Sequence, residues 1–199
     1  MQVNNNIINL LIAGTGGQGV NSLYRIMLGL CQEHNLYSKS ALFKGGAQRH
    51  GTVHATLRIF LRNEPGYQWY SSQVPPNGLD ILLGLEPWET IRFRHFAGEH
   101  TQIWSNTSIV PLFAQRFLKE SPGNPMEMLQ RFGNNLRLQN YSQQAFQKYG
   151  DKRMANYLIG KDVIKSGILP FSNSEFMFRF IKEVKPEKKI EKLILEEII

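Results

Sequence analysis

The stretch from Ile7 to Cys31 constrains the fold more than any other part of the chain. Ile7 to Ala13 is an apolar run broken once, at Asn9, and reads as a buried strand. Gly14-Thr15-Gly16-Gly17-Gln18-Gly19 follows, a turn dense in glycine. From there Val20, Leu23, Tyr24, Met27, Leu28 and Cys31 recur at helical spacing on one face. Strand, glycine turn and helix in that order bring a helix N-terminus, with its unpaired N–H groups and partial positive charge, to the end of a buried strand. Glycine permits both the tight turn and the close approach of another group. The pattern predicts an α/β layered domain with an anion-facing turn.

Gly14, Gly16 and Gly19 also match the spacing G-x-G-x-x-G of dinucleotide-binding turns. That use requires an Asp or Glu about 20 residues further on, to hold a ribose hydroxyl. Between Glu33 and Glu64 there is no acidic residue; the interval holds Lys39, Lys44, Arg49, Arg58 and Arg62, besides His34, His50 and His54. The gap argues against NAD. An Arg in the interval suits a 2′-phosphate, so NADP stays open.

Further along, Ser38 to Phe43 reads as a short strand running into the loop Lys44-Gly45-Gly46-Ala47-Gln48-Arg49-His50-Gly51. Val53, Ala55, Leu57, Ile59 and Leu61 then alternate with His54, Thr56, Arg58, Phe60 and Arg62, as in a half-buried strand. Asn63 to Gly66 is turn chemistry, and Tyr67 to Tyr70 reads as the return strand of a β-hairpin. Leu79 to Leu85 is apolar enough for a fully buried parallel strand, Pro87 opens a helix continuing to Phe96, and Thr101 to Ser105 is another strand. Helices are expected from Asn124-Pro125 through Phe132, over Ser142 to Tyr149, Lys152 to Lys165 and Ser174 to Val184, with Gly150 and Gly167 as stops. Pro186 breaks the run. Glu187 to Ile199 is amphipathic through Ile190, Leu193, Ile194 and Ile198, and either folds back on its own core or packs as an arm on another subunit.

With 199 residues and 42% hydrophobic content, the chain supports one well-buried domain. A single cysteine excludes an intrachain disulfide framework and any self-contained four-cysteine cluster. Cys31 lies on the apolar helix face and reads as core, as do Trp69, Trp88 and Trp104. His34, His95 and His100 show no ligand spacing, and His50 and His54, four apart, do not share a helix because the alternation puts His54 on a strand, so no metal site is expected. No segment approaches the roughly 20 apolar residues of a membrane span, and Met1 to Asn6 lacks signal-peptide features; a cytoplasmic location is expected. The net charge of +7 suits an anionic small molecule or an acidic partner. No basic–aromatic motif supports nucleic acid.

Candidate ligand residues are Gly14, Gly16, Gly17, Gln18 and Gly19, with Gln18 as a side-chain donor at the helix start. Lys44, Gly45, Gln48, Arg49 and Gly51 read as a clamp on an anion, Arg49 foremost because a guanidinium pairs with carboxylate or phosphate bidentately. Glu86, ending a buried strand, is either a ligand residue or the cap of the helix after Pro87. No residue is assigned to catalysis.

Four ordered motifs carry a resemblance. Gly14-Thr-Gly-Gly-Gln-Gly19 resembles the Gly-x-Gly-Gly-Gln-Gly opening of the gamma subunit or domain of 2-oxoacid:ferredoxin oxidoreductases. Gly46-Ala-Gln-Arg-His-Gly-Thr-Val53 is similar to the Met-Ala-Gln-Arg-Gly-Gly-Ser-Val segment of the indolepyruvate ferredoxin oxidoreductase beta subunit. Ser72, Pro75, Gly78, Asp80, Leu82 to Leu85 and Glu86-Pro87 resemble its Ser-Pro-x-Ile-Pro and Asp-x-Leu-Leu-Gly-x-Glu-Pro run, and Ala155-Asn156-Tyr-Leu-Ile-Gly160 its Asn-x-x-x-Leu-Gly helix. Lys44-Gly45-Gly46 stands where the family has His-Gly-Met, and His50 replaces a glycine.

The resemblance implies a Rossmann-like domain over residues 1–185, with a mostly parallel sheet, one hairpin and C-terminal helices, followed by a helical arm over 186–199. It implies a subunit, inactive alone, of an enzyme that oxidatively decarboxylates a pyruvate- or indolepyruvate-like 2-oxoacid. Thiamine diphosphate and iron–sulfur clusters, which pass electrons to ferredoxin, would sit on a partner subunit and none on this chain. The alternative is a stand-alone protein binding a nucleotide or an acyl-coenzyme A anion.

Overall fold

A computed structural model describes residues 6–45, 51–62, 66–110 and 123–198. Strand β1 (Ile7–Thr15) leads through the glycine turn into helix α1 (Val20–Glu33). The chain continues as β2 (Tyr37–Lys44), β3 (Thr52–Phe60), β4 (Leu79–Gly84), α2 (Pro87–Arg92), β5 (Ala97–Asn106), α3 (Pro125–Gln130), β6 (Leu136–Gln139), α4 (Tyr141–Tyr149), α5 (Ala155–Lys165), α6 (Asn173–Val184) and α7 (Lys188–Leu195). The six strands form one sheet in the order β2-β3-β1-β4-β5-β6. Pairs β1–β4, β4–β5 and β5–β6 are parallel, and β3 runs antiparallel to both β1 and β2.

Alternation along the central strands sends side chains to two cores. Ile8, Leu10 and Ile12 of β1, with Ile81 and Leu83 of β4, join the larger cluster with α1, α4, α5, α6 and α7. Leu11 and Ala13, with Leu79 and Leu82, join a smaller cluster on the other face around Phe93 and Ile103. Burial on both faces explains the near-continuous apolar runs of β1 and β4. Asn9, the break in the first run, donates from Nδ2 to Gly78 O (2.8 Å) and accepts from Arg58 Nε (2.8 Å). It pins the sheet end remote from the glycine turn.

Several expectations are corrected. The hairpin is β2–β3, closed at Gly45 N–H to Thr52 O (2.8 Å). Tyr67 to Trp69 is a 3₁₀ turn rather than a return strand, because it folds over β3 and stacks Tyr67 on Tyr37. That turn also covers the second face of β3. Arg58 is consequently buried, donating to Ser71 O (3.0 Å), and Phe60 is fully enclosed, so β3 is buried on both faces rather than one. Trp69 is 84% exposed, whereas Trp104 is core as expected. The helix after Pro87 stops at Arg92, and β6 has no counterpart among the expected strands. At the C-terminus Ile190 and Ile194 enter the larger core, so the fold-back arrangement of the terminal helix is the one found. No helix of the described residues is long and apolar enough to cross a membrane.

Candidate functional site

The glycine turn lies where the carboxyl ends of β1 and β4 meet, and local chemistry gives each residue a task. Gly14 is buried against Val20, Gln18 and Leu85; an added Cβ would fall 2.9 Å from Val20 Cγ2. Gly16 N–H donates to Gly51 O (2.9 Å), tying the turn to the hairpin base. Gly17 (φ 93°) and Gly19 (φ 87°) are both left-handed, which favours glycine at each. Gln18 is not the free donor expected. Its Oε1 accepts from Thr15 N–H (2.8 Å) and its Nε2 donates to Leu85 O (3.2 Å), so the amide straps the turn to the end of β4.

What remains open is the N-terminus of α1. Gly19 supplies no side-chain cap, and the first turn holds no acidic residue. Its first-turn N–H groups and the helix dipole are therefore not answered by a carboxylate within that turn. A cavity of about 590 Å³ lies there, walled by Thr15, Gly16, Val20, Lys44, Gly45 and Gly51. The Thr15 hydroxyl is buried and has no hydrogen-bond partner among the described residues. Lys44, exposed at the end of β2, is the cation of this cavity. Gln48 and Arg49, with Gly46 and His50, lie outside the described residues.

Two further cavities share Gly17. One, of about 310 Å³, is bounded by Ser22, Arg153, Asn156, Lys185 and Glu187. The other, of about 210 Å³, is bounded by Gln18, Asn106, Ser142, Lys152 and Arg153. Lys152, Arg153, Asn156 and Lys185 were not among the expected site residues. Spacing places the first three on a helix late in the chain and Lys185 just past the end of another, and nothing local to them signals proximity to residue 17.

Glu86 lies outside all three cavities. It is fully buried and caps α2, accepting from Glu89 N–H at 2.9 Å, with Val110 N–H at 3.4 Å. Burial pushes its carboxyl above the usual range, partly offset by those N–H groups. Glu89, also enclosed, accepts from Thr52 Oγ1 (3.2 Å) and Arg92 Nε (3.2 Å), which braces the hairpin base. The absence of acid after the first strand also acquires a geometric reading. Because β3 is inserted between β1 and β2, the end of β2 is two strand spacings, roughly 10 Å, from β1. A ribose clamp of the usual kind has no strand to stand on beside β1. Among the described residues no group of three His, Cys, Asp or Glu side chains could hold a metal.

Comparison with known proteins gives concordant matches. The pyruvate ferredoxin/flavodoxin oxidoreductase family model matches residues 9–192. The indolepyruvate oxidoreductase subunit IorB of Archaeoglobus fulgidus is 30% identical over 105 residues, which are 52% of this chain and 49% of that protein. That of Methanothermobacter thermautotrophicus is 29% identical over 105 residues, 53% of this chain and 50% of the relative. The chain thus spans about half the length of the curated relatives it matches. Among solved structures, pyruvate oxidoreductase subunit PORC of Thermotoga maritima superposes with a TM-score of 0.64 at 15% identity, covering 94% of this chain and 90% of that one. The 2-oxoglutarate:ferredoxin oxidoreductase of Magnetococcus marinus gives 0.68 at 13% identity, covering 96% of this chain and 29% of that one. At those identities the structures speak for the fold. With the family model matched from residue 9 to residue 192, the chain belongs to the pyruvate ferredoxin/flavodoxin oxidoreductase family.

Proposed function

We propose that this chain is the gamma-type subunit of a 2-oxoacid:ferredoxin oxidoreductase, and that it holds an anionic group of substrate or cofactor beside the active centre of the assembled enzyme. The 2-oxoacid is pyruvate- or indolepyruvate-like, and the location is the cytoplasm. Thiamine diphosphate, carried by a partner subunit, supplies the electron sink for decarboxylation. Iron–sulfur clusters also belong to the partner, since one buried cysteine cannot furnish the thiolates of a Cys-ligated cluster.

The observation that carries the reading is the uncapped, acid-free N-terminus of α1 opening on a cavity beside Lys44. An anion there accepts from the first-turn N–H groups and from the orphaned Thr15 hydroxyl, and Lys44 adds a point charge. Gly16, Gly17, Gly45 and Gly51 let the backbone come close. Arg49 and Gln48, outside the described residues, are proposed as a guanidinium and an amide partner of the same anion. The chain does no covalent chemistry in this role; it binds and orients.

Purification from the native organism, followed by thiamine and iron assay, tests the assembly: a thiamine- and iron-bearing partner should co-elute. Lys44→Ala should weaken partner or ligand affinity about 3- to 10-fold, and Arg49→Ala more, with the melting temperature unchanged. A chain that elutes alone and binds coenzyme A or a nucleotide tightly would overturn the subunit reading in favour of a stand-alone binding protein.

A further inference from the structure

Strand β2 ends the sheet, and among the described residues no backbone group pairs with its outer edge. The hydrogen-bond alternation says which groups stand there. Gly45 N–H donates to Thr52 O in continuation of the β2–β3 register, so Tyr37, Lys39, Ala41 and Phe43 turn their backbone groups to β3. Gly16 N–H to Gly51 O and Leu61 N–H to Asn6 O, at the two ends of β3, show the complementary phase on the β1 side. The N–H and C=O groups of Ser38, Ser40, Leu42 and Lys44 therefore point out of the sheet.

An edge of this length is ordinarily blunted by a proline, a bulge or a charge standing on it. β2 has eight residues without proline, and its register with β3 is unbroken. Its central charge, Lys39, is drawn over the sheet face, donating to Gln68 O (3.2 Å) and lying 5.6 Å from the Tyr37 ring centre. Trp69, next after Gln68, is almost wholly exposed, and Phe43, on the same face of β2 as Lys39, is 38% exposed. An open backbone edge thus adjoins uncovered aromatic surface.

Charge selects what covers it. β2 carries Lys39 and Lys44 and no acid, and neither β3 nor the 3₁₀ turn Tyr67–Trp69 carries one. On α1, which touches β2 through Tyr24 Oη and Ser40 Oγ (2.8 Å), the single acid is Glu33, and it accepts from Arg179 Nη1 (3.0 Å). A second copy paired edge to edge would bring four lysines into one ribbon with no carboxylate on either strand. Like charges across strands oppose pairing, and opposite charges favour it. We infer that the β2 edge is the docking surface for an extended acidic segment of a partner protein, which adds to the sheet as a further strand. The backbone of that segment bonds to Ser38, Ser40, Leu42 and Lys44, and its carboxylates meet Lys39 and Lys44. The inference goes beyond the proposed function, because strand addition requires neither the cavity beside Lys44 nor an anion in it.

The probe is a blocked octapeptide alternating valine and glutamate, with its valine–lysine counterpart as control, each titrated into the full chain. Calorimetry should show saturable, salt-weakened binding of the glutamate peptide and none of the lysine peptide. The bound peptide should slow amide exchange at Ser38, Ser40, Leu42 and Lys44. Ser40→Pro removes an outward N–H and spares the ladder, as edge positions allow; it should weaken binding about tenfold. Ser40→Ala keeps that N–H, loses only the contact with Tyr24, and should bind as the native chain does. Lys39→Glu should weaken binding severalfold. Should Ser40→Pro lower the melting temperature, Lys39→Glu decides alone, and undiminished binding in it would overturn the inference. No binding of the glutamate peptide, equal binding of both peptides, or native affinity in a folded Ser40→Pro would each overturn it. So would a dimer of the native chain that Ser40→Pro dissolves, since a second copy would then hold the edge. None of these failures touches the anion reading, whose readout is ligand affinity in Lys44→Ala.

Discussion

Gly19→Ala is the perturbation whose cost is most directly computed from the structure. Gly19 sits at φ 87°, where a side chain is strained, and its added Cβ would meet Asn156 Nδ2 at 2.2 Å. The left-handed backbone costs about 1–2 kcal/mol for a residue with a Cβ, and overpacking a close-packed site typically adds about 1–3 kcal/mol. Together these give a loss of about 2–5 kcal/mol, or roughly 5–15 °C in melting temperature for a chain of this size. Gly17 supplies the internal control. Its φ is 93° but nothing lies within 4 Å of its Cβ position, so Gly17→Ala should show the backbone cost alone. Thermal and urea denaturation of both variants separate the two contributions. The double variant Gly19→Ala/Asn156→Ala completes a cycle whose coupling should recover the packing part. Equal losses in Gly17→Ala and Gly19→Ala, or no coupling in the cycle, would refute the contact between Asn156 and the helix start, and with it the shape of the 310 Å³ cavity.

Two other measurements probe the body of the domain. Glu197 binds Lys148 (2.5 Å), Lys161 and the hydroxyls of Tyr149 and Tyr157. Burial pushes its carboxyl up, but the hydrogen bonds from Lys148, Lys161 and Tyr149 outweigh that and hold it down at about 2. Since the unfolded carboxyl titrates near 4.3, this stabilisation is present above about pH 4.3 and is lost as pH falls from there towards 2. The urea midpoint should drop across that window, and in Glu197→Gln that part of the drop should be absent; the same acid dependence in the variant would assign it elsewhere. Cys31 is fully buried, and burial pushes its thiol up to about 12, so a thiol reagent at pH 8 should leave the native protein untouched and react once it is unfolded. Rapid modification of the native chain would contradict its place in the core.

The local features of the candidate site were legible in the residues themselves. An apolar run, a cluster of glycines and a helical stripe leave few arrangements other than strand, turn and helix, because each reports backbone preference or which face is buried. The alternation in β3 was equally plain. It could not say which strands lie beside β3, and so it missed both the β2–β3 hairpin and the insertion of β3 next to β1. Periodicity encodes a face and is silent on neighbours.

Partners across long sequence separations were decided by tertiary packing alone. Gln18 looked like a ligand donor until Leu85, 67 residues on, took its amide. Asn156 read as part of a family helix motif, and only the packing of α5 against Gly19 made it a wall of the site. The terminal helix could bury Ile190 and Ile194 on any apolar surface, and the surface it found is its own core. Backbone preference is settled within a few residues, whereas a buried polar group takes whichever partner the packed layers bring within reach. The glycine turn was therefore written in the sequence, and the cavities on either side of it were made by the fold.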